Sequence, residues 1–185
     1  MLSFRSVPFE EYMRMKLTTL GAISAALAVS AVAGAQDNVK PIGLSLRAGV
    51  FLPTNSGTAD VAGTGFFAFG AEYLLTYKPP TFLINGATSG LSVSVDYYRR
   101  DDYGNIPILA NYILAKNRFA FSAGVGVGFT TLPSGSDSDV KFAYQVGVEY
   151  DLPTTGSLPI FLSAKYFGSE NNRLNGVGLY AGIKF

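Results

Sequence analysis

From Gly176 to Phe185 the chain reads GVGLYAGIKF and alternates without a slip. Val177, Leu179, Ala181, Ile183 and Phe185 fall on one side, and Gly176, Gly178, Tyr180, Gly182 and Lys184 on the other. Successive side chains of a strand point to opposite faces, so the segment is a ribbon with one greasy face and one small or polar face. Its ten residues are also the length a tilted strand needs to cross a bilayer, about 9–11 residues. A chain that carries such a ribbon is constrained to a β-architecture that treats the two faces differently.

The same period recurs upstream. Alternation bounded by turn residues gives segments at roughly 42–52, 65–77, 90–100, 106–114, 118–129, 140–150, 159–167 and 176–185. Between them lie PTNSGTADVAGTG, KPPTFLINGATSG, DDYGN, AKN, TLPSGSDSD, DLPTTGS and GSENNRLN. No window reads with helical spacing, so the expected class is all-β, an eight-stranded antiparallel up-and-down barrel. The face richer in Val, Leu, Ile and Phe holds Leu44, Leu46 and Val50, then Phe67 and Phe69, and so on around the sheet. The strand-body charges Arg47, Glu72, Asp96, Lys141, Glu149, Lys165 and Lys184 all take the opposite face. Such agreement is about a one-in-a-hundred coincidence if charge ignored the pleat. The fourth segment is the weak one, because Leu109 and Ile113 share the polar parity with Asn111.

Two barrels fit this alternation. In a soluble one the oily face makes the core, whereas in a membrane one it meets lipid and the charges fill the lumen. The charges keep small company: Gly43, Ser45, Gly49, Gly70, Ser92, Ser94, Ser122, Gly124, Gly126 and Gly128 share their face. An eight-stranded lumen is so narrow that side chains nearly fill it, and small residues leave room there for a few long charged ones. On a water-exposed face the same glycines would weaken the strands without return. The reading is therefore a membrane barrel, with a secreted lipocalin-like binder as the alternative.

The N-terminal region agrees. Arg14, Met15 and Lys16 precede an apolar Ala-rich run from Leu17 to Val32, and Ala33-Gly34-Ala35 supplies a small-x-small cleavage pattern. Residues 15–35 are expected to be a signal peptide, Gln36 the mature N-terminus, and 1–14 a misassigned start or a disordered extension. The remaining barrel domain, 36–185, has equal numbers of acidic and basic residues, so no field draws nucleic acid to it. With no cysteine, disulfides and thiolate metal sites are excluded; with no histidine, the usual general base and commonest transition-metal ligand are gone. Tryptophan is absent too, leaving Tyr77, Tyr97, Phe51, Phe129, Tyr150, Tyr166 and Phe185 as expected interfacial girdles.

The stretch Ile106-Pro107-Ile108-Leu109-Ala110-Asn111-Tyr112, followed by Ala123-Gly124-Val125-Gly126-Val127-Gly128-Phe129, resembles the centre of the OmpA-like eight-stranded outer-membrane barrels, where a Pro-containing fourth strand precedes a Gly-alternating fifth. The resemblance implies outer-membrane localisation, a monomer in outer-membrane lipid, and chain termini on the periplasmic side. It also implies that Val177, Leu179, Tyr180, Ile183 and Phe185 form the C-terminal signal read by the barrel-assembly machinery. The barrel domain alone is matched, so a wall-anchoring role is not carried over, and the short surface loops weaken any adhesive duty.

Chemistry is sparse. Gly124-x-Gly126-x-Gly128 lacks the spacing and following helix of a phosphate loop, and inward packing explains it better. Ser136-Asp137-Ser138-Asp139 and Asp101-Asp102 offer too few spaced oxygens for a calcium loop. Without histidine the chain is expected not to be an enzyme, and no cofactor or metal is expected. The candidate site is a lumen charge network of Arg47, Glu72, Asp96, Lys141, Glu149 and Lys165, with Arg47 and Glu72 as the direct pair. It either plugs and stiffens the barrel or gates a narrow pore by exchanging partners. A lateral route near Pro107 is a further alternative.

Overall fold

The computed structural model describes residues 42–75, 86–133, 139–153, 159–170 and 172–185. Residues 1–14, the expected signal peptide 15–35, Gln36, Tyr77 and the loop residues Ser136, Asp137 and Ser138 lie outside the described residues. The strands are β1 (Leu44–Pro53), β2 (Phe66–Leu74), β3 (Thr88–Arg100), β4 (Tyr103–Lys116), β5 (Phe119–Thr131), β6 (Asp139–Asp151), β7 (Ile160–Ser169) and β8 (Gly176–Lys184). Each pairs antiparallel with its neighbours in sequence, and β1 with β8, closing the barrel. The expected fold class stands.

Closure requires tilt, and the register supplies it. Following cross-strand partners from Pro53 through Gly176, Phe167, Gln145, Gly124, Asn111, Ser92 and Leu74 returns to β1 at Gly43, ten residues short of the start. A stagger of this kind inclines the strands by about 35–45° and fixes a lumen that side chains fill. Two hairpins are tighter than the sequence suggested. Arg100 pairs with Tyr103 and Lys116 with Phe119, so Asp101-Asp102 and Asn117-Arg118 are two-residue turns. Asp101 (φ 52°) and Asn117 (φ 56°) take the left-handed conformation, which short polar side chains tolerate best.

One expectation fails outright. The segment after β1 contains a helix, α1 (Ser56–Ala62), where no helical spacing was read. It is too short to show periodicity, but its cap is legible afterwards: the Asn55 side chain accepts a hydrogen bond from Thr58 N at 3.1 Å. Thr58 Oγ1 in turn donates to Arg173 O (2.8 Å) in a 3-10 turn, Asn172–Leu174, ahead of β8. Helix and turn fold onto the same barrel mouth, and Leu174 is buried there.

The interior below this mouth is aromatic. Phe51 stacks on Tyr98 with centroids 3.9 Å apart, and Phe66 and Phe167 lean against Phe51 at 5.8 and 6.4 Å. Leu109, Ala143, Ala62, Ala68, Leu174 and Tyr180 belong to the same cluster. Tyr98 OH donates to Leu174 O (3.1 Å) and accepts from Asn105 Nδ2 (2.8 Å), tying turn, β3 and β4 together. Phe51 is therefore not part of a girdle; it shares the parity of Arg47 and points inward. The weak register of β4 is resolved the same way, since Leu109 and Asn111 are both buried in the lumen while Ile106 and Ile108 face out. Leu109 is apolar on the polar parity because the layer it enters is apolar.

Candidate functional site: the charged layer of the lumen

Between the aromatic layer and the Phe185 end, the inward positions of β1, β2, β3 and β7 bring four ionised groups together. Arg47 on β1 is fully enclosed and binds Asp96 of β3 through two parallel bonds, Nε to Oδ1 at 2.8 Å and Nη2 to Oδ2 at 2.7 Å. Its third nitrogen reaches Glu72 of β2, Nη1 to Oε2 at 2.9 Å. Lys165 crosses from β7 to the same Glu72 oxygen at 2.9 Å, and Ser92 Oγ donates to Glu72 Oε1 at 2.6 Å. Two acids and two bases thus balance, which an ionic cluster in so narrow a space requires. The guanidinium also lies 5.7 Å from the ring centre of Tyr180.

The backbone makes room for this arrangement at Gly70, which lies between Arg47 and Asp96 in the register. A Cβ built at Gly70 would meet the Asp96 carboxylate and stand 3.0 Å from Arg47 Nε. Gly70→Ala is accordingly expected to destabilise the barrel by about 1–3 kcal/mol, read as a lower urea midpoint for the folded band on unheated gels. A neutral arm continues the layer: Asn111 Nδ2 donates to Ser94 Oγ (3.0 Å) and Ser92 Oγ (3.2 Å), and Gln145 Nε2 donates to Asn111 Oδ1 at 2.6 Å.

Of the six residues expected in the network, Arg47, Glu72, Asp96 and Lys165 are brought together. Arg47 and Glu72 form the anticipated pair, although the two-pronged contact is with Asp96. Lys141 and Glu149 are not in the layer. Lys141 sits at the α1 end of β6 and pairs with Asp139 at 2.7 Å, half open to solvent. Glu149 sits at the opposite end of the same strand and pairs with Lys184 at 2.7 Å, which also reaches Asp151 at 2.6 Å. Parity placed both on the inward face correctly, but strand tilt carries the two ends of β6 away from the middle.

Within the C-terminal segment, Leu179 is exposed on the outer wall, whereas Tyr180 is buried in the lumen. Phe185 was read with the outward set but is buried, its N–H donating to Leu44 O at 2.8 Å and its carbonyl accepting from Gly43 N at 3.0 Å. Its backbone still bonds to β1, so parity alone does not set the exposure of a side chain at the strand end. Among the described residues no group of acidic side chains is arranged to hold a metal ion.

No protein-family model matches the chain, and no curated protein sequence does. Solved structures similar to it include two outer-membrane proteins. One is the Yersinia pestis outer membrane protein Ail in a phospholipid bilayer nanodisc, at 16% identity and TM-score 0.45, covering 77% of this chain and 98% of Ail. The other is the outer membrane enzyme PagL, at 11% identity and TM-score 0.47, covering 76% of this chain and 98% of PagL. The likeness is one of fold. The second of them is an enzyme, so the expectation that the chain is not an enzyme is not upheld.

Proposed function

We propose that the chain is a small integral outer-membrane β-barrel whose lumen is closed, serving a structural or surface role. One observation carries this reading. The outward positions of all eight strands present large apolar side chains to the surroundings, among them Val50, Phe69, Val95, Val125, Val146 and Leu179. Arg47, Asp96 and Lys165 are enclosed. A water-soluble protein rarely exposes contiguous apolar patches above a few hundred Å², and here the patch encircles the molecule. A hydrocarbon solvent reverses the preference, and a closed barrel leaves no strand edge unpaired within it.

Two stacked barriers support the closed lumen. The ion-paired layer fills the middle, and Phe51, Tyr98, Phe66 and Phe167 fill the space between it and α1. The OmpA-like kinship, export by residues 15–35 and the assembly role of the last strand belong to this same reading. The test is fractionation of the expressed mature chain, followed by electrophoresis with and without heating. The expected result is outer-membrane recovery, dependence on detergent for solubility, and faster migration of the unheated form. A mature chain that stays monomeric in buffer without detergent would overturn the proposal.

A further inference from the structure

The outer wall carries almost no charge. Among the described residues, the outward positions of the eight strands hold two ionisable cations, Arg99 near the α1 end of β3 and Lys116 at the opposite end of β4. Arg99 is held in place. Its stem lies along Gly104, where a built Cβ would stand 3.1 Å from Arg99 Cγ, and its Nε donates to Asp101 O at 2.9 Å. Neither Asp101 nor Asp102 forms an ion pair with it among the described residues, and the residue is exposed. Phe67 is its direct cross-strand neighbour on β2.

The seam beneath Arg99 is unusual. The β3–β4 ladder skips Asp96 and Tyr97 opposite Ile106 and Pro107, although the register is unchanged on either side of the gap. Proline has no N–H to donate, so a rung is lost there. The outward residues along this weakened seam are Val95, Tyr97, Ile106 and Ile108, all apolar or aromatic. A pinned, exposed cation therefore sits above an apolar strip, at the border of the oily band.

We infer that Arg99 and the β3–β4 seam form a site for an anionic phospholipid, in which the guanidinium takes the phosphate of a headgroup carrying net negative charge, with no choline ammonium to compete for it, and the strip below takes its acyl chain. A guanidinium fork matches phosphate oxygens two at a time, which a diffuse surface charge does not. The border of the apolar band is where headgroups lie, and the bordering ring of Phe67 suits that interface. One basic residue near an anionic lipid surface is worth about 1 kcal/mol, or about fivefold in retention.

The inference rests on the membrane reading above, and its test keeps the two apart. Wild type, Arg99→Gln and, as a control in the far turn, Arg118→Gln are purified in nonionic detergent. Their unheated gel mobility is first checked to be equal, which the membrane reading requires whether or not the site exists. Each is then mixed with phosphatidylglycerol, phosphatidylcholine or oleate, and the bound lipid is counted by native mass spectrometry. Wild type and Arg118→Gln are expected to retain phosphatidylglycerol about fivefold over phosphatidylcholine, and Arg99→Gln to lose that preference. Retention by Arg99→Gln equal to wild type would overturn the site. Oleate held as tightly as phosphatidylglycerol would overturn the assignment to phosphate.

Discussion

Replacing Arg47 with alanine is expected to destabilise the folded barrel by about 3–5 kcal/mol, because it strips the partner from an enclosed carboxylate. Asp96 has no solvent exposure, and both of its oxygens are bound by Arg47. Glu72 would fare better, since Lys165 and Ser92 still hold it at 2.9 and 2.6 Å. The damage should therefore localise to Asp96. Replacing Arg47 and Asp96 together by leucine removes the orphaned charge with its cause, and well-packed apolar replacements of buried ion pairs are often neutral. The double variant is expected to recover most of the loss. Urea titration of the folded, heat-modifiable gel band measures both, which suits a chain without tryptophan. If Arg47→Ala unfolds at the wild-type midpoint, the ionic layer contributes nothing to stability. If the lumen is closed as proposed, conductance in planar bilayers is expected to stay at the wild-type level, since the cluster of Phe51, Tyr98, Phe66 and Phe167 is left in place. An open Arg47→Ala barrel would restore the gate reading.

Strand parity makes most of this fold legible in the sequence, and what parity does not encode is height along the barrel. Alternation has a period of two and is insensitive to everything but facing, so Arg47, Glu72, Asp96 and Lys165 could be assigned inward without any knowledge of neighbours. Height along the barrel is different. It depends on the stagger of the strands, which becomes known only when Pro53 and Gly43 are linked through seven other strands. That is why Lys141 and Glu149, on the right face, were placed in the wrong layer. The aromatic layer was hidden for a related reason. Phe51, Phe66, Tyr98 and Phe167 were minorities on faces dominated by glycine, serine and charge, yet all four share the inward parity. Read together across strands rather than along each one, they would have announced an apolar stratum and made Leu109 unremarkable. The seven residues of α1 fall below two turns, where hydrophobic periodicity carries no information.

The second large effect is expected on the opposite face. Val125 of β5 is 56% exposed and lies between Ala110 and Tyr144 on the neighbouring strands, well inside the apolar band. Arginine there would put a cation against hydrocarbon, at about 2–4 kcal/mol near the bilayer midplane and little near the edges. Val125→Arg is therefore expected to lower the yield of heat-modifiable barrel in lipid vesicles sharply, while Val140→Arg, close to the end of β6, is expected to be tolerated. The contrast matters more than either value, because the two valines are similarly exposed, at 56% and 52%, and differ mainly in depth. A soluble barrel would accept both, since an exposed arginine in water costs almost nothing. Equal yields for the two variants would therefore remove the bilayer from the explanation of the apolar girdle, whereas a loss confined to Val125 requires a solvent whose polarity changes along the barrel axis.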